Sequence, residues 1–197
     1  MGTQSNRASL INSADSVLIV IDVQDVFLDK LPEAHHQKLL NNICWLIEVA
    51  QWCKVPLIVT AEEMPVFPVA GAVLGLISAE TPIYNKLTFG LAHQPNILAA
   101  VEQTGRKTAI LIGLETDVCV LHSAIGLLEQ GYRVAVVTDA TGTPAPNHAL
   151  AIERMSQIGV LILNMKGLFY EWLRDVQTVT RFHNEMPHMR ERAQIIL

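Results

Sequence analysis

Three side chains far apart in the sequence are equipped for chemistry together: an aspartate, a lysine and a cysteine. Cys119 lies in the stretch 111–124, LIGLETDVCVLHSA. It falls where an apolar run at 108–112, read as a strand, gives way to a helical pattern at 118–129. The first turn of a helix carries unpaired N–H groups and the positive end of the helix dipole. A thiol of ordinary pKa, about 8.5, is lowered in such a place toward a thiolate majority. The opposing reading is a small core residue, since unpaired cysteines are commonly buried and inert. Asp22 closes an apolar run at 16–21 and reads either as a general base or as a cap for the next turn. Lys86 ends a short run at 83–86. It reads either as a cation that favours the charged forms of its neighbours or as a solvated surface residue. Together the three would form a nucleophile, a proton acceptor and a charge that steadies both.

The elements that must position them follow from the hydrophobic pattern. Short continuous apolar runs at 16–21, 56–60, 108–112, 132–137 and 160–163 read as strands buried on both faces, with 83–86 as a weaker one. Helical spacing is found at 35–54, 118–129 and 147–157. Pro95 opens a helix to about 103, at a first-turn position where proline is tolerated, and 168–174 is a short helix. The loop 62–68 is rich in Glu and Pro, and the form of the apolar stretch 69–77 is left open. Strands alternating with helices predict an α/β fold of three layers, α/β/α, with a six-stranded, mainly parallel, Rossmann-like doubly wound sheet in a single domain spanning 1–197. Ligands in such sheets bind beyond the carboxyl ends of the strands where the strand order reverses. That point lies between the strand ending at Asp22 and the one leading to Cys119.

Composition excludes several partners. Half of the 197 residues are apolar, 17% are charged, and the formal net charge is −5. With no Lys/Arg run, nucleic acid is not an expected partner. No apolar stretch approaches the ~18 residues that a membrane span needs. The polar start shows no secretion signal. Cys44, Cys53 and Cys119 are odd in number and form no CxxC pair, so a reducing cytoplasm is expected rather than a disulfide framework. Cys44 and Cys53 fall in a helical pattern and read as packing. Neither GxGxxG nor GxxxxGK[ST] follows a strand, which disfavours nucleotide binding. The high apolar content and the tail from about 177, ending in Ile195, Ile196 and Leu197, predict a homo-oligomer.

Three segments, DVQDVF from Asp22, KLTFG from Lys86 and GLETDVCVLHSA from Gly113, resemble in order and spacing the signature segments of the isochorismatase-like cysteine hydrolases. The resemblance covers the chain from about Ser16 to Arg174. It implies a three-layer fold, and catalysis by residues matching Asp22, Lys86 and Cys119. It also implies a non-proline cis peptide between Leu114 and Glu115, turning the N–H groups of Glu115 and Cys119 toward one point as an oxyanion hole requires. The expected substrate is a small amide, ureido or carbamoyl compound, cleaved at its C–N bond through a thioester without a cofactor. A pocket rim of Phe27, Met64, Phe67, Tyr84 and Phe89 is expected from loop position. Asp117, Ser123 and Ala92 stand where the family often has His, Thr and an aromatic residue. Nicotinamidases of the family bind a metal through Asp-x-His after the second strand. Here that place reads Ala61-Glu62-Glu63-Met64, so no metal is expected, and Glu62 and Glu63 read as a solvated loop edge. Asp139, ending a strand on the same edge of the sheet, reads either as a support for the site or as a turn or cap residue. Two other functions remain open: hydrolysis of the vinyl ether isochorismate, and a non-catalytic or redox-sensing protein on the same fold.

Overall fold

The computed structural model describes residues 9–189; the apolar end of the tail lies outside them. Strand β1, Ser16–Ile21, is buried along its whole length, as a central strand covered on both faces must be. β2, Leu57–Glu62, and β4, Thr108–Leu114, pair with it in parallel on either side. β3, Ile83–Lys86, lies outside β2; β5, Arg133–Gly142, and β6, Leu161–Leu163, continue the sheet beyond β4. The order of the six strands is β3-β2-β1-β4-β5-β6, with every pair parallel. The winding therefore reverses between β1 and β4, and a crevice opens beyond their carboxyl ends.

Eight α-helices are described: α1, Asp25–Leu28; α2, Glu33–Trp52; α3, Gly71–Leu74; α4, Pro95–Gln103; α5, Leu121–Glu129; α6, Asn147–Gln157; α7, Met165–Leu173; and α8, Val176–Glu185. Alternation along β1 divides the core. Leu18 and Val20 join the cluster formed with α2, α7 and Phe182 of α8. Val17, Ile19 and Ile21 join the cluster formed with α4, α5 and α6. The result is one domain of three layers. Among the described residues no helix is long and apolar enough to cross a membrane.

The structure departs from the sequence reading at several boundaries, each for a local reason. The helix expected at 35–54 starts at Glu33 directly after Pro32 and stops at Trp52. Lys54 is left-handed, with φ +57°, and Val55 N donates to the Ala50 carbonyl. β2 runs to Glu62, two residues past the expected strand end. β5 runs to Gly142 rather than stopping near Asp139, because a register shift opposite Leu111/Gly113 lets it pair again. The single helix expected at 118–129 is a π-helical turn, Thr116–Val120, followed by α5; such turns recur at functional sites. The tail read as polar and mixed contains α8. Asp175 caps this helix by accepting from Thr178 N, and its narrow apolar face seats Phe182 against Trp52 with rings 5.2 Å apart.

Glycine is required at Gly113, where φ is +117° and a Cβ would overlap the Ile21 carbonyl. Only the bare backbone lets β4 close on β1 there. This is also the level at which Asp22 leaves β1 and the chain turns toward Cys119.

Candidate active site

At the end of β1 the chain turns sharply. Asp22 is left-handed, with φ +47°, a conformation that aspartate adopts more readily than most residues. Its amide donates to the Thr60 carbonyl, and the Thr60 hydroxyl donates to Asp22 Oδ1 at 2.8 Å. Two residues on, buried Gln24 bridges to β2. Its Nε2 donates to the carbonyls of Glu62 and Phe67, and its Oε1 accepts from Glu62 N at 2.8 Å. Both backbone polar groups of Glu62 are thus held by one side chain.

The parallel pairing of β2 with β3 sets Glu62 beside Lys86. Lys86 is fully buried, and its ammonium lies 2.9 Å from Asp22 Oδ2 and 2.9 Å from the Thr88 carbonyl. The same nitrogen is 3.4 Å from Cys119 Sγ and 3.5 Å from Glu62 Oε2. Cys119, buried in the π-helical turn, points its thiol at Glu62 Oε2, 3.5 Å away. Three sequence-distant side chains, Asp22, Cys119 and Glu62, thus surround one ammonium.

Glu62 was expected at a solvated loop edge, and the structure corrects that. Glu62 is the last residue of β2, and its side chain is 24% exposed, against 0% for Asp22 and Lys86. The missed signal was the strand end itself: a Glu closing one apolar run and a Lys closing the next, on adjacent parallel strands. Glu63 is exposed and left-handed, with φ +52°.

The thiol also departs from expectation. Burial pushes the Cys119 pKa above its ordinary value, Asp22 adds to this, Lys86 opposes it, and Glu62 adds further. The resting sulfur is therefore a neutral thiol rather than a thiolate: two carboxylates and desolvation outweigh one ammonium and the start of a helix. Burial likewise raises Asp22 above the usual aspartate value, against the pull of Lys86 and Thr60. Burial alone would lower Lys86, but Asp22, Cys119 and Glu62 hold it above its ordinary value. The arrangement is a carboxylate of raised basicity and a protonated sulfur, joined through an ammonium.

Beyond β4 the Leu114–Glu115 peptide is cis, and Glu115 is paired with Lys30 at 3.1 Å. Thr116 bonds to His148 of α6, Oγ1 to Nδ1, at 2.9 Å. Burial lowers the His148 pKa from 6.5, with Asp117 opposing. His148 was not singled out in the sequence, because nothing in its neighbourhood signals the Thr116 contact. Its titration gives a stability signature. As pH falls below about 6.5 the unfolded chain takes up this proton first, so native stability drops until the folded value is passed. His148→Asn should flatten that part of the stability–pH curve, measured by denaturant midpoints from pH 7.5 to 5.

The residues at family departures have structural places. Ser123 is buried and its Oγ accepts from Leu91 N at 3.2 Å. Ala92 faces Gly126 of α5, where a further Cβ would crowd its own. Asp117 keeps one buried oxygen without a hydrogen-bond partner. Asp139 Oδ1 accepts from Met165 N and so caps the start of α7.

The five expected rim residues differ in their surroundings. Phe27 and Met64 pack against the core on the α2 side, and Tyr84 against the opposite core. Phe67 is half-buried beside Gln24, and Phe89 is 55% exposed with its ring edge-on to His122. A cleft of about 360 Å³ lies between α2 and the β5–α6 loop, walled by Leu39, Asp139 and His148. It holds none of the five, nor Asp22, Lys86 or Cys119.

Among the described residues, Asp22, Glu62 and Cys119 are a group whose ligand atoms lie within 4.8 Å of one another, close enough to share a metal ion. The Lys86 ammonium already sits within 3.5 Å of all three, so the chain itself supplies a positive charge at that point.

Residues 16–166 match the family profile of the isochorismatase domain. The chain belongs to the isochorismatase family. Among curated proteins it is 28% identical to the probable hydrolase YcaC of Escherichia coli over 91% of this chain and 90% of that one. It is 28% identical to isochorismatase family protein 2A of Dictyostelium discoideum, over 83% and 85%. The crystal structure of the E. coli ycaC gene product, described as an octameric hydrolase of unknown specificity, superposes with a TM-score of 0.81 at 27% identity. That match covers 92% of this chain and 93% of that one.

Proposed function

We propose that this isochorismatase-family hydrolase is a cysteine hydrolase that cleaves the C–N bond of a small amide, ureido or carbamoyl compound. The observation that carries the reading is the Lys86 ammonium lying 2.9 Å from Asp22 and 3.4 Å from Cys119 in a buried site. Asp22 is the general base. It takes the Cys119 proton as the sulfur attacks the carbonyl carbon, so thiolate forms during attack and does not accumulate beforehand. Lys86 keeps Asp22 ionised until then and balances the charge passing to sulfur. The N–H groups of Glu115 and Cys119 receive the carbonyl oxygen as it becomes negative. The C–N bond breaks as Asp22 returns the proton to the departing nitrogen, leaving an acyl thioester and ammonia or an amine. Asp22 then deprotonates a water, which attacks the thioester; the acid leaves and the sulfur recovers its proton.

The raised basicity of Asp22 supports its place as acceptor, and the neutral resting thiol is compatible with coupled transfer. The reaction belongs in a reducing compartment such as the cytoplasm, where the cysteines stay free. We also propose a homo-oligomer: Val66, Leu87 and Phe89, near the site in sequence, are exposed apolar residues that a second copy would cover. The test of the activity is a panel of small amides, ureas and carbamoyl compounds assayed for ammonia or amine release. Release with a member of the panel, saturating in substrate, is the expected result. Hydrolysis of isochorismate with no release from any panel member would replace this reading.

A further inference from the structure

We propose that Glu62 sets the substrate class of this site, selecting compounds with an N–H donor or an ammonium next to the scissile carbonyl and rejecting those with a carboxylate there. The proposal rests on the reading of Cys119 as nucleophile.

Glu62 is the member of the cluster that solvent reaches. Its side chain is 24% exposed, whereas Asp22 and Lys86 are closed off and Cys119 is 3% exposed. A ligand entering from outside therefore meets this carboxylate first. Only one of its oxygens is engaged: Oε2 lies 3.5 Å from both Lys86 Nζ and Cys119 Sγ, while Oε1 has no hydrogen-bond partner among the described residues. Buried Gln24 holds the Glu62 backbone N–H and carbonyl together, which fixes the point from which the side chain leaves β2.

Charge decides the sign of the preference. Lys86 is nearer to Asp22, at 2.9 Å, than to Glu62, at 3.5 Å. The carboxyl group farther from the ammonium, Glu62, is also the one on the side facing solvent. A carbonyl carbon poised for attack stands about 3–3.5 Å from sulfur. With Oε2 itself 3.5 Å from that sulfur, substituents on the carbon come within reach of Glu62. An N–H or ammonium there gains a charge-assisted hydrogen bond. A carboxylate there meets a like charge.

The test uses the full chain and three small alkylating agents of similar size: 2-bromoethylammonium, iodoacetamide and iodoacetate. Labelling rates at Cys119 are read by peptide mass mapping at one pH and divided by the rates with glutathione, which removes intrinsic reactivity. Taking the rates as ratios within one protein also removes any change in thiol ionisation. In the wild type the order should be cation, then neutral, then anion, with about 10- to 100-fold between the ends. In Glu62→Gln the spread should shrink toward unity, chiefly because iodoacetate labelling rises. An unchanged spread in Glu62→Gln, or iodoacetate labelling faster than iodoacetamide in the wild type, overturns the proposal; the second result needs no variant. Amide turnover separates the two readings. A charge order at Cys119 without turnover of any amide leaves Glu62 as the selector and removes the hydrolase. Turnover that favours carboxylate-bearing over ammonium-bearing amides keeps the hydrolase and removes the role of Glu62.

Discussion

Cys119→Ala is expected to abolish turnover, lowering kcat by about 10⁴-fold or more, as loss of a covalent nucleophile does in other hydrolases. The loss should fall on kcat rather than on KM, because the sulfur forms a bond only after the substrate is seated. The fold should survive. Cys119 is small and buried, and trimming its CH2SH side chain to a methyl group removes a polar group whose ionisation burial opposes. Steady-state ammonia release by the variant, beside its far-UV dichroism and melting curve, separates chemical loss from unfolding. Asp22→Asn should also lose activity with the sulfur still in place, since the proton acceptor is gone.

The second large effect is on stability. Lys86 and Asp22 are both fully buried and 2.9 Å apart. Lys86→Met leaves a carboxylate without its counter-ion in a site closed to water, at a cost of about 3–5 kcal/mol. The cost has a pH signature. Without Lys86 the burial that already raises Asp22 is unopposed by an ammonium. A carboxyl whose folded pKa lies above its unfolded value of 3.8 loses stability as pH rises from that value to the folded one. Lys86→Met should therefore be nearest to wild-type stability near pH 4 and fall away toward neutrality. Adding Asp22→Asn removes the stranded charge, so the double variant should recover much of the stability at pH 7 and lose the extra pH dependence, while remaining inactive. Urea midpoints of the single and double variants between pH 4 and 8 check this. Equal destabilisation of the two at every pH would mean that Lys86 matters for packing alone.

What the sequence disclosed and what it withheld divide along a physical line. The strands were legible because parallel strands buried on both faces are continuous apolar runs, as in β1 and β4. The convergence of Asp22 and Cys119 was legible because a doubly wound sheet brings the ends of those two strands to one crevice. Lys86 was carried by its motif, since a lone lysine at a strand end has no signature of its own. Glu62 is hidden because the apolar run that marks β2 reads only to Thr60, whereas the strand continues to Glu62, where the parallel register with β3 places it beside Lys86. The upward shift of the Cys119 pKa is not legible in the sequence, because position in a helical turn can be read from a pattern, whereas burial and a second carboxyl group cannot. The π-helical turn at Thr116–Val120 has the same apolar spacing over so short a span as an α-helix. α8 was hidden because it buries little more than Phe182 in an otherwise polar segment.

The central claim is that the substrate is attached to one sulfur during the reaction. Acid quenching of the enzyme during steady-state turnover, followed by mass spectrometry of the intact chain and of the peptide bearing Cys119, tests it directly. The expected result is an added mass equal to the acyl part of the substrate, located on Cys119, present during turnover and gone when substrate is exhausted. Full turnover in Cys119→Ala with no acyl mass on the wild-type chain would contradict the account.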